Sequence, residues 1–270
     1  MGDLDLTEEP GRIKQNGATS TIKDSPRIYV PGGLLPGGTS QDIYTQSATQ
    51  NYAIGTRLVV DDRVFKYSLA GGNLIKMMGA YNESQWPING ALVRDYTVGA
   101  NNIYIPDAVG AANAYAGGWI VVFTAPLQMR RIIANDASDG TEVRLWLDGA
   151  FEGAAVLIGV WVTGYPNIYS NVQSPPAVAP DYISFVCVPL ITVTAGNYFW
   201  GQTWGPCYGV AGATVPGATA QNRWVGFSTA GNLISNGDAN MGAGTQLAGF
   251  VLPRTSLGSG DQLYMLTLSP

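Results

Sequence analysis

Apolar and polar residues alternate with a period of two along much of the chain beyond residue 41. In 141-TEVRLWLDG-149, Val143, Leu145 and Leu147 occupy every second position before an Asp-Gly turn. The stretch 63-RVFKYSLAGG-72 shows the same period and ends in a glycine turn. Side chains two residues apart point to the same face of a strand, so this pattern predicts half-buried β-strands rather than helices.

Short apolar runs separated by turn residues predict further strands along the whole region. Only 107-DAVGAANAYAGG-118 has a helix-like composition, and its glycines disfavour a helix. The sequence therefore predicts an all-β protein, an antiparallel sandwich or barrel-like domain or domains, with an extended N-terminal arm and few short helices. The further predicted strands are 91–96, 118–123, 129–134, 156–163, 182–188, 190–194, 197–203, 223–228, 246–252 and 262–268.

The first 40 residues differ from the rest of the chain. Nine of the first 30 side chains are charged, and 30-VPGGLLPGGTS-40 is a Pro/Gly linker. A segment with so few apolar residues cannot bury enough surface to fold alone. We therefore expect residues 1–40 to form an arm, extended or disordered when the protein is alone, which either orders against a neighbouring subunit or remains a solvated tail. Residues 41–270 then form one β-rich domain or two β subdomains.

Charged residues are scarce, at 12% of the chain against a usual ~25%. The net charge of −5 disfavours a nucleic-acid partner. Between residues 153 and 222 the only charged side chain is Asp181. A strand covered on one face should carry charge on the other, so a lack of charge on both faces predicts a covered surface. The prolines, glycines and amides of this segment exclude a membrane as the cover.

Interface cores are depleted in charge and enriched in aromatic residues. The charge-poor segment 153–222 is therefore predicted to make the principal subunit contacts of a homo-oligomer, with a trimer expected. A packed β core is the alternative interpretation of the same aromatic residues, and stacking on sugars is another. The suspected interface residues are Tyr165, Tyr169, Tyr198, Trp200, Trp204 and Tyr208.

The chain contains no histidine, which removes Ser-His-Asp and Cys-His catalysis and His-ligated zinc. The turn-like segments 236-NGDANMG-242 and 135-NDASDGTE-142 lack the glycine placement and closing glutamate of a calcium loop. No phosphate-binding glycine motif occurs. We therefore predict no catalytic residue, no cofactor and no metal. The carboxylates considered for glycosidase chemistry, and assigned instead to turns and surface, are Asp136, Asp139, Glu142, Asp148 and Glu152.

The two cysteines, Cys187 and Cys207, are predicted to be small buried apolar residues, although their spacing also permits a disulfide. The N-terminus MGDLDLTEEP lacks the apolar core of a secretory signal. The longest apolar run, 154–162, is too short to span a bilayer. These features predict a soluble protein that is synthesised in a cytoplasm.

The segment 54-IGTRLVVDDRVFKYSLAGG-72 resembles a pattern of virion structural proteins of tailed bacteriophages. The resemblance extends loosely over most of residues 41–270, through 117-GGWIVV-122, 131-RIIAN-135, 145-LWLDGAF-151, 194-TAGNYFWGQTWGP-206 and 246-QLAGFVL-252. In the first segment it is carried by Gly55, Arg57, Arg63, Phe65, Lys66, Tyr67, Ala70 and Gly71.

The resemblance implies a non-enzymatic protein of the phage head that decorates or cements the exterior of the capsid. Its partner would then be the major capsid protein of the same virion, and its synthesis would take place in the host cytoplasm. The main shell protein itself needs a long spine helix, which the sequence does not predict. The hairpin 54–72 is interpreted as scaffold, with Phe65, Tyr67 and Leu69 turned inward and Arg63 available for a salt bridge or a carbonyl cap.

Two other classes remain open. A head-fibre or tail protein that binds a host-surface glycan or receptor would use exposed aromatic residues such as Trp146. A glycan-cleaving tail enzyme would need two carboxylates about 5 to 9.5 Å apart in a groove.

Overall fold

A computed structural model describes residues 12–15, 18–21, 28–29, 34–83, 88–153, 155–175, 183–212, 216, 223–235, 246–253 and 262–270. Within these ranges every regular element is a strand and no helix occurs, which confirms the all-β prediction. The chain divides into two compact units. Unit 1 comprises Met1–Asn82 and Asn171–Pro270, and unit 2 comprises Glu83–Ser170. Unit 2 is thus inserted into the sequence of unit 1.

The strands are numbered in chain order. They are β1 Arg12–Gln15, β2 Ala18–Thr21, β3 Ile28–Tyr29, β4 Arg57–Val60, β5 Arg63–Leu69, β6 Ala80–Glu83, β7 Ile88–Ala91, β8 Asn102–Pro106, β9 Trp119–Val122, β10 Gln128–Asn135, β11 Glu142–Leu147, β12 Trp161–Tyr165, β13 Val172–Gln173, β14 Ile183–Pro189, β15 Tyr198–Gly209, β16 Trp224–Phe227, β17 Leu233–Ser235, β18 Leu247–Val251 and β19 Gln262–Thr267.

Unit 2 is built on a six-stranded antiparallel sheet in the order β7-β12-β9-β10-β11-β8. Its pairs are nested: β7 joins β12, β8 joins β11 and β9 joins β10. A long hairpin acquires this pairing when it is rolled up, as in jelly-roll folds. The sheet curls until its edge strands, β7 and β8, approach each other. Their closeness is shown at Gly90 of β7, where an added Cβ atom would lie 3.1 Å from Cγ of Pro106 in β8.

The core of unit 2 is formed by the inward positions of these strands. In β11, buried and half-buried residues alternate along the whole strand, as the period of two predicts. The buried cluster consists of Leu92, Tyr96, Ile103, Ile105, Tyr115, Ile120, Val122, Ile132, Val143, Leu145, Leu147, Phe151, Val156 and Val162.

Unit 1 contains an eleven-stranded sheet organised around the long strand β15. This strand pairs with β5 over residues 198–204, with β19 over residues 204–209, and with β14 at Gly201 and Gln202. The register shifts between Gln202 and Trp204, which marks a β-bulge in the middle of β15. The bulge separates a first half that is buried on both faces from a second half in which buried and outward residues alternate.

The hairpin β4–β5 is part of this sheet, with Val60 opposite Arg63 and a two-residue turn between them. Asp61 in the turn has a φ of 54°, the positive φ that such short hairpins require. Phe65 and Tyr67 are fully buried, as predicted, whereas Leu69 is only half-buried. The Arg63 guanidinium lies 5.6 Å from the ring centroid of Phe65, a cation–π contact, and makes no salt bridge or carbonyl cap of the predicted kind with a described residue.

Unit 2 leaves unit 1 through a short paired stem. Strand β6 ends where unit 2 begins, and strand β13 begins directly after unit 2 ends. The two strands pair antiparallel, with Val172 opposite Asn82 and Gln173 opposite Tyr81. The insertion therefore starts and finishes at neighbouring points of the same sheet.

The two units share one local arrangement. Tyr96 and Val156 form an isolated antiparallel bridge in unit 2, and Leu74 and Val193 form one in unit 1. Each of these four residues is followed three positions later by a residue of positive φ, at positions 99, 159, 77 and 196, and a strand begins shortly afterwards. In unit 1 the segment 195-AGN-197 belongs to this turn.

Several strand predictions were wrong in detail. The segment 190–194 is not a strand but the turn that carries the bridging residue Val193. The strand predicted at 91–96 ends at Ala91, and the one predicted at 156–163 begins only at Trp161. Residues 112–117 form turns, in agreement with the glycines that disfavoured a helix there. The strands that were not predicted are β1, β2, β3, β6, β8, β13 and β17.

The predicted arm, residues 1–40, lies largely outside the described residues. Within it the structure describes β1 paired with β2, and β3 paired with β4 of unit 1. Residues 34–40 are joined to residues 51–52: Leu35 N donates to the Asn51 carbonyl oxygen at 2.8 Å, and Thr39 N donates to Asn51 Oδ1 at 3.0 Å.

Candidate interaction surfaces

Two of the suspected interface residues lie inside the protein. Trp200 is 1% exposed and Tyr169 is 6% exposed. The Trp200 ring packs against Tyr67 at 4.9 Å and against Tyr52 at 5.0 Å between centroids, and its Nε1 donates to the Gln41 carbonyl oxygen at 3.0 Å. Trp200 therefore belongs to the interior of unit 1 and Tyr169 to the interior of unit 2, and neither side chain is available for contact with a partner.

The surroundings of Trp200 form a buried polar network. The Tyr67 hydroxyl donates to Gln41 Oε1 at 2.8 Å and accepts from the Asn51 backbone N–H at 3.1 Å. Gln41 Nε2 donates to the carbonyl oxygens of Tyr198, at 2.9 Å, and Thr45, at 3.1 Å. Tyr198 is half-buried, and its ring stacks on that of Tyr67 at 5.8 Å. The network fixes residues 41–52 onto β5 and β15.

Trp204 and Tyr208, in the second half of β15, point outward. Trp204 is half-buried and Tyr208 is 44% exposed, while the residues between them at positions 205 and 207 are buried. This alternation follows from the bulge after Gln202, which restores a period of two to the strand.

The outward residues of β15 continue across neighbouring strands as an apolar surface. Trp224 lies opposite Phe250, Phe250 opposite Met265, and Met265 opposite Pro206, so one row crosses four strands. At the margin of this surface, Arg223 donates from Nη2 to the carbonyl oxygens of Val251 and Leu252. We call the surface the unit 1 face and define it by Trp204, Pro206, Tyr208, Trp224, Phe250 and Met265.

The remaining suspected residue, Tyr165, lies on a comparable surface of unit 2. It sits opposite Trp119 on β9, and Thr163 sits opposite Val121, so the outward positions of β12 and β9 form neighbouring rows. Strand β10 adds Met129 opposite Val121. We call this surface the unit 2 face, defined by Trp119, Phe123, Met129, Trp161 and Tyr165, which are between 42% and 53% exposed.

Trp146, named for glycan stacking, has a cation packed against its ring. The guanidinium of Arg144 lies 3.8 Å from its ring centroid, and Arg144 is also within 5.6 Å of the Tyr104 ring. Arg94 covers Tyr104 at 4.0 Å and forms an ion pair with Glu142. This alternating stack of cations and rings stabilises the β8–β11 surface and occupies one face of the Trp146 ring.

The carboxylates considered for catalysis perform structural tasks. Asp139 Oδ1 accepts from the backbone N–H groups of Thr141 and Glu142, both at 2.9 Å, and these hydrogen bonds lower the pKa of Asp139. Asp148 Oδ1 accepts from Arg131 N at 3.0 Å, and Glu152 lies 3.8 Å from Arg130. The turn interpretation of 135–142 is thus confirmed, while segment 236–242 lies outside the described residues.

The cysteines are free and buried, as predicted for small apolar residues. Burial raises the pKa of Cys207 to about 12 and that of Cys187 even further. Burial likewise raises the pKa of Tyr264, which neighbours Cys207, well above its usual value. These groups stay protonated at neutral pH.

The described part of the chain contains no group of three or more Cys, Asp or Glu residues that could hold a metal ion. It also holds no helix with the length and apolarity that a membrane crossing requires. Comparison of the chain with known protein families, curated proteins and solved structures finds no match.

The sequence did not single out the largest exposed aromatic residues, Trp119, Trp161 and Trp224. Each occupies the first position of a strand whose next residue is buried. The parity of exposed and buried positions was the signal that could have found them, once the strand boundaries were known.

Proposed function

We propose that this chain is a non-enzymatic structural protein of a tailed-phage virion that decorates or cements the capsid exterior. It acts as a homo-oligomer, with a trimer expected, and binds the major capsid protein through the unit 1 face and the N-terminal arm. The resemblance over residues 41–270 supports the virion setting. The two curled β sheets provide a scaffold suited to presenting broad surfaces.

One observation carries the proposal: the unit 1 face contains an apolar row that crosses four adjacent strands, from Trp224 through Phe250 and Met265 to Pro206, with Tyr208 exposed beside it on β15. Soluble monomers rarely leave a contiguous apolar patch of more than a few hundred Å² in water. Aromatic residues combined with few charges are the composition of an interface core. A surface of this kind fits attachment to another protein.

The test uses Tyr208→Asp and Trp204→Asp in the full chain. A charge left unpaired in a protein contact costs several kcal/mol, so each variant should bind at least tenfold more weakly to capsids that lack the protein. Tyr208→Asp is the more informative variant because its side chain is already exposed in the free protein. Binding is measured by co-sedimentation, and circular dichroism checks that the β signal persists.

Tyr44→Asp is the matched control, since Tyr44 is 57% exposed in unit 1 and lies outside the unit 1 face. It should decorate capsids like the parent. Capsid binding by both face variants at the level of the parent would refute the attachment surface, and absence of the protein from purified virions would refute the virion assignment.

A further inference from the structure

The unit 2 face is a second apolar surface, separate from the surface assigned to the capsid. Its outward side chains come from three adjacent strands, β12, β9 and β10. Phe123 extends it beyond the end of β9, where Phe123 N donates to the Trp161 carbonyl oxygen at 3.0 Å. The face is thus a continuous aromatic and aliphatic sheet surface.

The exposed area of this face is large enough for a stable protein contact. Its five defining side chains are about half exposed, and a large aromatic side chain offers about 150–250 Å². With the flanking residues Leu127 and Ile133, 56% and 59% exposed, the apolar area is on the order of 700 Å². A standard-size interface takes roughly 800 Å² from each partner.

The chemistry of the face favours a protein over a glycan. A sugar needs hydrogen-bonding groups beside the ring on which it stacks. Two polar groups on β12 are already engaged within the protein, because Trp161 Nε1 and Thr163 Oγ1 both donate to Asn89 Oδ1. The centre of the face, at Val121 and Met129, is purely apolar.

One row of the face is complementary to itself. Tyr165, Trp119 and Arg131 lie side by side on β12, β9 and β10, and Asp148, which directly follows β11, lies next to Arg131. The row therefore has two aromatic rings at one end and two opposite charges at the other. The Arg131 guanidinium makes no hydrogen bond or ion pair with any described residue, and its side chain is exposed. A two-fold axis through the centre of this row brings Arg131 over the partner's Trp119 and repeats the same contact in reverse.

We propose that two copies of this chain associate face to face through the unit 2 face, with Arg131 of each copy on the aromatic end of the other. The contact is isologous, so it joins two copies and doubles any assembly that the chain forms through other surfaces. It is independent of the virion assignment. Packing of two sheet faces is a common way to bury such surfaces, at a spacing of about 10 Å.

The test compares the mass of the full chain with that of Met129→Glu by sedimentation equilibrium over a wide concentration range. Met129 is at the centre of the face and 53% exposed, so the substitution should leave the fold intact. The mass of Met129→Glu should be half that of the parent where the parent is fully paired. Where the parent is only partly paired, the dissociation constant of the pairing step should be at least 100-fold higher in Met129→Glu. Arg131→Glu should weaken pairing at least tenfold, and Arg131→Lys should weaken it less.

Val109→Glu is the control, because Val109 is an 89% exposed apolar residue of unit 2 away from this face. It should associate like the parent. Equal masses for the parent and Met129→Glu would overturn the proposal, as would binding of an oligosaccharide to the parent that is lost in Trp119→Ala without any change in mass. If Met129→Glu halves the mass while Tyr208→Asp leaves capsid binding unchanged, the pairing stands and the proposed function fails.

Discussion

Removal of the Tyr67 hydroxyl is a direct test of the buried network in unit 1. In Tyr67→Phe the ring contacts with Trp200 and Tyr52 remain, so the change isolates one oxygen atom. That oxygen serves two neighbours, since it donates to Gln41 Oε1 at 2.8 Å and accepts from Asn51 N at 3.1 Å.

The two neighbours do not lose equally. Gln41 Oε1 keeps a second donor, because Asn51 Nδ2 reaches it at 3.1 Å. The buried Asn51 backbone N–H loses its acceptor, and a buried donor without a partner costs about 1–3 kcal/mol. We therefore expect Tyr67→Phe to lower the free energy of unfolding by about 1–3 kcal/mol, equivalent to a fall in Tm of roughly 3–9 °C for a domain of this size.

Urea titration followed by circular dichroism and by tryptophan fluorescence measures this difference, and Trp200 beside the mutated ring makes the fluorescence sensitive to the site. Tyr44→Phe is the control, because its hydroxyl is exposed and the change should stay within about 0.5 kcal/mol. A Tyr67→Phe variant as stable as this control would refute the reasoning, since it would mean that the hydroxyl satisfies no buried group.

Three other predictions follow from buried groups and backbone geometry. Burial raises the pKa of Tyr67 to about 12, so the contribution of the protonated hydroxyl to stability is complete below pH 10 and is lost as the pH rises from 10 to 12. The free energy of unfolding, measured by urea titration, should therefore fall across this range, and it should fall less steeply in Tyr67→Phe. Cys187 and Cys207 should react with a thiol reagent only after unfolding, whereas fast labelling of the native protein would contradict their burial. Gly205→Ala, at φ 93° and against a carbonyl oxygen of the β4–β5 turn, should destabilise the protein by several kcal/mol more than Gly196→Ala, at φ 81° with open space around it, in the same unfolding assay.

The period of two was sufficient to predict a strand that has one buried face and one solvent-exposed face. Strand β11 keeps a regular alternation of buried and half-buried residues, and the structure confirms it. The segment 190–194 shows the limit of the pattern: Val193 is fully buried, but a single bridge within a turn buries it, not a strand. An isolated bridge leaves the same apolar signal in the sequence as a short strand does.

The charge-poor segment illustrates why the candidate surfaces could be predicted only in part. In the first half of β15 charge is missing because other parts of the chain cover both faces: Phe199 and Trp200, on opposite faces, are both buried. Beyond the bulge, Trp204 and Tyr208 do point outward. A bulge depends on pairing with strands far away in the sequence, so no local pattern marks the residue at which burial gives way to exposure.

The paired stem formed by β6 and β13 has a mechanical consequence. Both ends of unit 2 leave through strands that are hydrogen-bonded to each other, at Asn82 opposite Val172. Tension applied to the two termini of the chain would reach unit 2 only after this stem had unzipped, so the insertion is shielded from pulling along the chain. Tension between the N-terminus and the sheet of unit 1 would therefore strain unit 1, while unit 2 kept its fold and its exposed surface.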